Sequence, residues 1–199
     1  MPFSTDANWP QGLLNIFDVA RNQNTSIESR YYGSYDRLFN YAVIEGSFNF
    51  FLAPQTSLDE TSARDAVDFV VFMVVLNQKQ KPVLTAEIRD DRWANGPDKR
   101  QRADTQMRQR YDQMLLSCPI PRLYGLSLLG TSLRVCCGDK VTGKGYTSLC
   151  RPPQCGSYFA TRLLGGGEWN LDILSLDGLA TMQDIVADIK SCQKISNTS

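Results

Sequence analysis

The stretch that most constrains this chain is VDFVVFMVVLNQKQKPVLTAEIR, from Val67 to Arg89. Two apolar runs flank a polar turn, which predicts a β-hairpin. The first run, Phe69 to Leu76, is apolar on both faces. A strand of that kind needs one layer above it and another below, so a central sheet between helices is expected and the class is α/β. If the turn centres on Asn77 and Gln78, antiparallel pairing sets Asp68 opposite Glu87, because both lie equally far from it. A slip by one residue would send Asp68 to the other face. The second strand exits into Glu87, Arg89, Asp90 and Asp91. Two carboxylates are therefore expected at one end of a buried hairpin, with a guanidinium beside them.

The surroundings read as helices and further strands. TSIESRYYGSYDRLFNYAV carries apolar residues at helical spacing, and Thr25 with Glu28 forms a capping-box pattern at its start. Ser47 to Gln55 predicts a strand that stops near Pro54. In DKRQRADTQMRQRYDQMLLSC, a helical stripe runs through Ala103, Met107, Tyr111, Met114, Leu115 and Cys118. Arg102 and Gln106 lie one turn apart on its border. From Lys99 to Arg110 there are five basic residues and one acid, the chain's only basic concentration. RLYGLSLLGTSLRVCC predicts two strands joined at Leu129-Gly130, and a last helix is expected from about Gly178 to Cys192. The order is α-β-β-β-α-β-β-α, in one domain of 199 residues whose core spans about residues 25–192.

There is no histidine. That excludes Ser-His-Asp and Cys-His hydrolases, histidine metal centres and histidine-based ribonuclease chemistry. A catalyst here has carboxylates, Lys, Arg, Tyr, Cys or an oxygen-held metal, and hard oxygen ligands favour Mg²⁺ or Mn²⁺. Twenty-one basic and 21 acidic residues cancel, so nucleic-acid binding would rest on a local patch. The opening MPFSTDANWPQ has no secretory pattern, and no apolar run is long enough for a membrane span. An intracellular protein, cytoplasmic or nuclear, is expected, with its six cysteines reduced. Adjacent Cys136 and Cys137 point to opposite strand faces, and the Cys150/Cys155 spacing fits no strong zinc pattern.

An acid on the second strand and Glu-x-basic on the third resemble the PD-(D/E)xK nuclease-like (restriction-endonuclease-like) superfamily. Six segments look like a group of mushroom-type fungal proteins assigned to it. They are ESRYYGSYDRLFNY, VDFVVF, PVLTAEIRDD, KRQRADTQMRQRY, PRLYGLSLLGTSLRV and WNLDILSLDGLATMQDIVADIK, spanning about Glu28 to Lys190. The resemblance implies an αβββαβ core with a mixed sheet flanked by helices. It also implies that Asp68 and Glu87 hold Mg²⁺ or Mn²⁺, with Glu28 near the same site and Gln106 facing it. Arg89 takes the place of the motif's lysine. Because arginine stays charged it cannot transfer a proton, although it can orient a water or stabilise the phosphate transition state. Lysine at that position is expected to serve at least as well.

The implied activity is a metal-dependent nuclease acting on DNA or RNA, with Arg100, Arg102, Arg108 and Arg110 contacting phosphates. The alternative is a catalytically inactive nuclease-like fold that binds nucleic acid or a protein. Each residue also has a structural role open to it. Glu28 can simply cap its helix, Glu87 and Arg89 can simply pair, and the arginine run can be a solvated face.

Overall fold

A computed structural model describes residues 3–23, 28–44, 49–55, 71–139 and 169–196. Ahead of the predicted elements stands a helix that the sequence reading did not anticipate, α1 (Gln11–Asn22). Pro10 sits at its N-cap, and Leu13, Phe17 and Ala20 recur on one buried face. The predicted first helix follows in three pitches. A 3-10 turn (Glu28–Tyr31) leads into α2 (Tyr32–Phe39), which continues as a π-helical turn (Asn40–Ile44). Thr25 lies outside the described residues. Phe17, Tyr31 and Tyr35 form an aromatic cluster, with Phe17 and Tyr35 meeting edge to face at 5.1 Å.

The sheet contains β1 (Phe50–Gln55), β2 (Val71–Asn77), β3 (Pro82–Arg89), β4 (Arg122–Leu129), β5 (Ser132–Asp139) and β6 (Leu171–Asp172). They lie side by side in sequence order. All neighbours are antiparallel except β3 and β4, which are parallel. A parallel neighbour requires a crossover, and α3 (Pro97–Leu115) supplies it. The last helix, α4 (Leu176–Ser196), begins slightly before its expected start and runs past Cys192. Every residue of β3 is buried, as a strand covered on both faces must be. The mixed sheet flanked by helices agrees with the expected α/β class. Among the described residues no helix is long and apolar enough to cross a membrane.

The hairpin register differs from the expected one. Glu87 stands opposite Phe72, and Val71 opposite Ile88, with an irregularity at Val75/Leu76. The turn lies later than Asn77-Gln78 because Asn77 ends β2 as a strand residue, and its Oδ1 accepts the backbone N–H groups of Lys79 and Lys81, both at 3.0 Å. Gln80 takes the left-handed conformation, φ 56°. Asp68 lies outside the described residues, and the pairing proposed for it with Glu87 does not occur: Phe72 holds that place.

Alternation along β3 sends Thr85, Glu87 and Arg89 to the face beneath α3, and Ala86 and Ile88 into the main core with α1, α2 and α4. On the α3 side, Tyr111 donates its hydroxyl to Leu123 O across the sheet. A Cβ at Gly138 would stand 2.7 Å from the Tyr111 ring, so the missing side chain is what lets α3 lie this close. On the opposite side, Asp188 of α4 accepts from Tyr124 Oη at 2.8 Å and from Arg122 Nε at 3.1 Å. The two anchors fix the layers above and below the start of β3, where Leu84 pairs with Tyr124.

Candidate functional site

Where β3 ends, a carboxylate and a guanidinium lie two residues apart on one strand face, and both are 0% exposed. Arg89 Nε donates to Glu87 Oε1 at 3.0 Å. From α3, Gln106 Oε1 accepts from Arg89 Nη2. The chain then turns through a 3-10 helix (Asp91–Trp93), which folds Trp93 back beneath the guanidinium, with Cζ 3.9 Å from the ring centre. Trp93 is itself buried against Ala103 and Leu129, and the more exposed Arg102 lies over the same ring at 5.8 Å. Burying an ion pair is costly unless its polar atoms find partners, so the arrangement around Arg89 is a demanding one.

The neighbouring strands extend this polar row. Glu87 is in register with Ser127 on β4, and Ser127 with Arg134 on β5, so three polar side chains share one face and one row. Trp169 Nε1 donates to Ser127 Oγ at 3.2 Å, and the Arg134 guanidinium lies 5.2 Å from the Trp169 ring centre. Asp104 of α3 pairs with both Arg134 (2.7 Å) and Arg108 (2.8 Å).

The other face of the same strand end carries a second charged cluster. Arg30 Nη2 lies 2.8 Å from Asp90 Oδ2 and 2.6 Å from Asp91 Oδ2, and Tyr31 donates its hydroxyl to Asp91 at 2.6 Å. Burial and that hydrogen bond push the Tyr31 hydroxyl well above its usual pKa, so it stays a donor. Gly130 closes the cluster. Its φ is +61°, its N–H donates to Arg89 O at 2.7 Å, and its carbonyl accepts from Tyr35 Oη at 2.6 Å. The β4–β5 turn is thereby tied both to β3 and to α2.

Burial alone would raise the Asp90 carboxyl, yet its pKa lies below the usual 3.8. The backbone N–H and Nε–H of Arg92, with the charges of Arg30 and Arg92, outweigh burial. A carboxyl depressed in the folded state stabilises the fold fully above its unfolded pKa, and that contribution fades as pH falls through the folded value. Asp90→Asn should therefore flatten the acid limb of the stability curve below about pH 3.9, read by urea denaturation from pH 7 downward. Parallel curves for wild type and variant would remove Asp90 from the acid response.

The sequence-chosen residues divide plainly. Glu87, Arg89 and Gln106 meet. The backbone of Glu28 lies in the 3-10 turn that carries Arg30 and Tyr31 to the end of β3, but its side chain is outside the described set, as are Asp68 and the Arg110 side chain. Of the four arginines assigned to phosphates, Arg100 donates to Ala94 O at 2.9 Å and Arg108 pairs with Asp104, so both also serve the fold. Arg102 is exposed beside Trp93. Trp93, Ser127, Arg134 and Trp169 were not anticipated; the only sequence signal was the tryptophan four residues beyond Arg89 in EIRDDRW.

Among the described residues, no group of three or more His, Cys, Asp or Glu is placed to hold a metal ion. Glu87 is the one expected metal ligand described there. No protein-family model, no curated protein and no solved structure matches this chain.

Proposed function

We propose that this protein is a PD-(D/E)xK-type, divalent-metal-dependent nuclease that hydrolyses phosphodiester bonds in DNA or RNA, built on a restriction-endonuclease-like core. The observation that carries this reading is the meeting of Glu87, Arg89 and Gln106. Three residues singled out in the sequence, from two separate elements, converge on one buried spot at the end of a central strand. Asp68 and Glu87 would hold Mg²⁺ or Mn²⁺, since carboxylate oxygens are the hard donors these cations take. A cation there lowers the pKa of a water and neutralises charge on the phosphate. Arg89 contributes a fixed positive charge that accepts no proton, which suits it to hold a phosphate oxygen rather than act as a base. Gln106 keeps the guanidinium plane in place, and the exposed Arg102 offers a phosphate contact outside it.

One observation favours a second reading. The Glu87–Arg89 pair is wholly enclosed, at 0% exposure for both, and the two ions already satisfy each other's charge. That arrangement suits a nuclease-like fold kept as a binding module for nucleic acid or a protein.

Calorimetric titration with Mn²⁺ separates the two. The nuclease reading expects saturable binding, and with it a higher melting temperature through mass action. Asp68→Asn should remove both effects. No binding heat and an unchanged melting temperature at millimolar Mn²⁺ would leave the module as the better description.

A further inference from the structure

Arg89 stands where the resembled motif carries lysine, and its surroundings fit a guanidinium on three sides. Nε donates to Glu87 at 3.0 Å, Nη2 donates to Gln106, and Cζ lies 3.9 Å from the Trp93 ring centre. The two acceptors come from β3 and α3, and they meet two different nitrogens of one planar ion. Cζ lies over a ring that is only 3% exposed, close enough for a desolvated cation–π contact. A lysine at this position would put its single nitrogen near the present Cζ, one bond short of Nη2 and displaced from Nε. It would have to share one nitrogen between Glu87 and Gln106, which now hold two separate ones. The third nitrogen, Nη1, is buried and has no hydrogen-bond partner among the described residues. Two corners of the ion are held by the protein and the third is left to donate.

We infer that Trp93 and Gln106 are positioning residues that fit this site to arginine, leaving Arg89 Nη1 as the donor to a phosphate oxygen. The phosphate role rests on the nuclease reading; the fit to a guanidinium stands apart from it. On this inference lysine serves less well than arginine, against the expectation drawn from the resembled motif. Arginine here is matched to three residues, Glu87, Gln106 and Trp93, and changing it alone to lysine gives up the planar fit to them.

The test uses the full chain labelled with ¹⁵N, comparing wild type, Arg89→Lys, Trp93→Phe and Trp93→Leu. The Arg89 Nε–H signal, identified by its loss in Arg89→Lys, should exchange slowly with water in wild type. Trp93→Leu should speed that exchange roughly 5- to 30-fold, the equivalent of one desolvated cation–π contact. Trp93→Phe should restore most of the protection, because it keeps a ring, whereas a space-filling role would leave Phe and Leu alike. In single-turnover assays with Mn²⁺, Arg89→Lys should cut cleavage by on the order of 10²–10³. Should Trp93→Leu fail to fold, Gln106→Leu on the half-exposed side of α3 gives the same readout through Nη2.

An unprotected Nε–H in wild type, or equal exchange in the Phe and Leu variants, overturns the fit. Cleavage by Arg89→Lys at the wild-type rate overturns the phosphate role. Absence of any cleavage by wild type, with the exchange order as expected, defeats the nuclease reading and leaves the guanidinium fit standing.

Discussion

Glu87→Ala should destabilise the protein by about 3–5 kcal/mol, because it leaves the Arg89 guanidinium buried without its counter-ion. For a chain of this size that corresponds to a fall in melting temperature of roughly 6–20 °C. The size of the effect comes from burial, since both side chains are 0% exposed. Gln106 and Trp93 would still hold the guanidinium, but neither carries a negative charge. Removing both ions together should behave differently. Glu87→Leu with Arg89→Met exchanges a costly buried pair for apolar volume, a replacement that is often neutral or stabilising. The double variant should therefore melt close to wild type. Thermal denaturation of the single and double variants decides this. A single variant within about 1 kcal/mol of wild type would mean that water or another group reaches Arg89.

The parts of this arrangement that could be read in advance were those written in periodicity. Phe69 to Leu76, apolar on both faces, pointed to an inner strand, and β2 lies inside the sheet. The Ala103–Met107–Tyr111–Leu115 stripe marked the buried side of α3, and Gly130 marked the β4–β5 turn. Register was harder. The mirror symmetry assumed around Asn77-Gln78 failed because Asn77 stays in β2 and caps the turn with its side chain, moving Glu87 opposite Phe72. A lateral choice of a few residues costs little locally, and no pattern in the strand reports it.

Helix α1 was legible in principle, through Leu13, Phe17 and Ala20 recurring behind Pro10. The partners of the site were the least legible. Gln106 reaches Arg89 across 17 residues only because the crossover lays α3 over β3. Trp93 finds the guanidinium through a 3-10 turn that no apolar period announces. Arg134 and Ser127 join the row through strand pairing, which the strands do not disclose before the sheet is assembled.

The largest functional effect is expected from Glu87→Gln. Glutamine has nearly the same shape, and its amide oxygen can still accept from Arg89 Nε, so it should cost less stability than alanine although it too removes the counter-charge. The amide is neutral, however, and a hard divalent cation loses one of its anionic donors. Metal-dependent cleavage should then fall by on the order of 10²–10³, with the secondary structure unchanged by circular dichroism. The measurement is a single-turnover time course on single- and double-stranded DNA and RNA with Mg²⁺ or Mn²⁺. Both substitutions remove the charge and the anionic ligand, but only alanine also removes the acceptor for Arg89 Nε, so a loss of cleavage shared by the two while glutamine keeps its fold belongs to the ligand. Cleavage that continues at the wild-type rate in both Glu87→Gln and Asp68→Asn would have its origin away from this site. Wild type inert on every substrate would turn the question to affinity. Binding should then weaken with salt and with the loss of Arg102, the exposed cation beside Trp93.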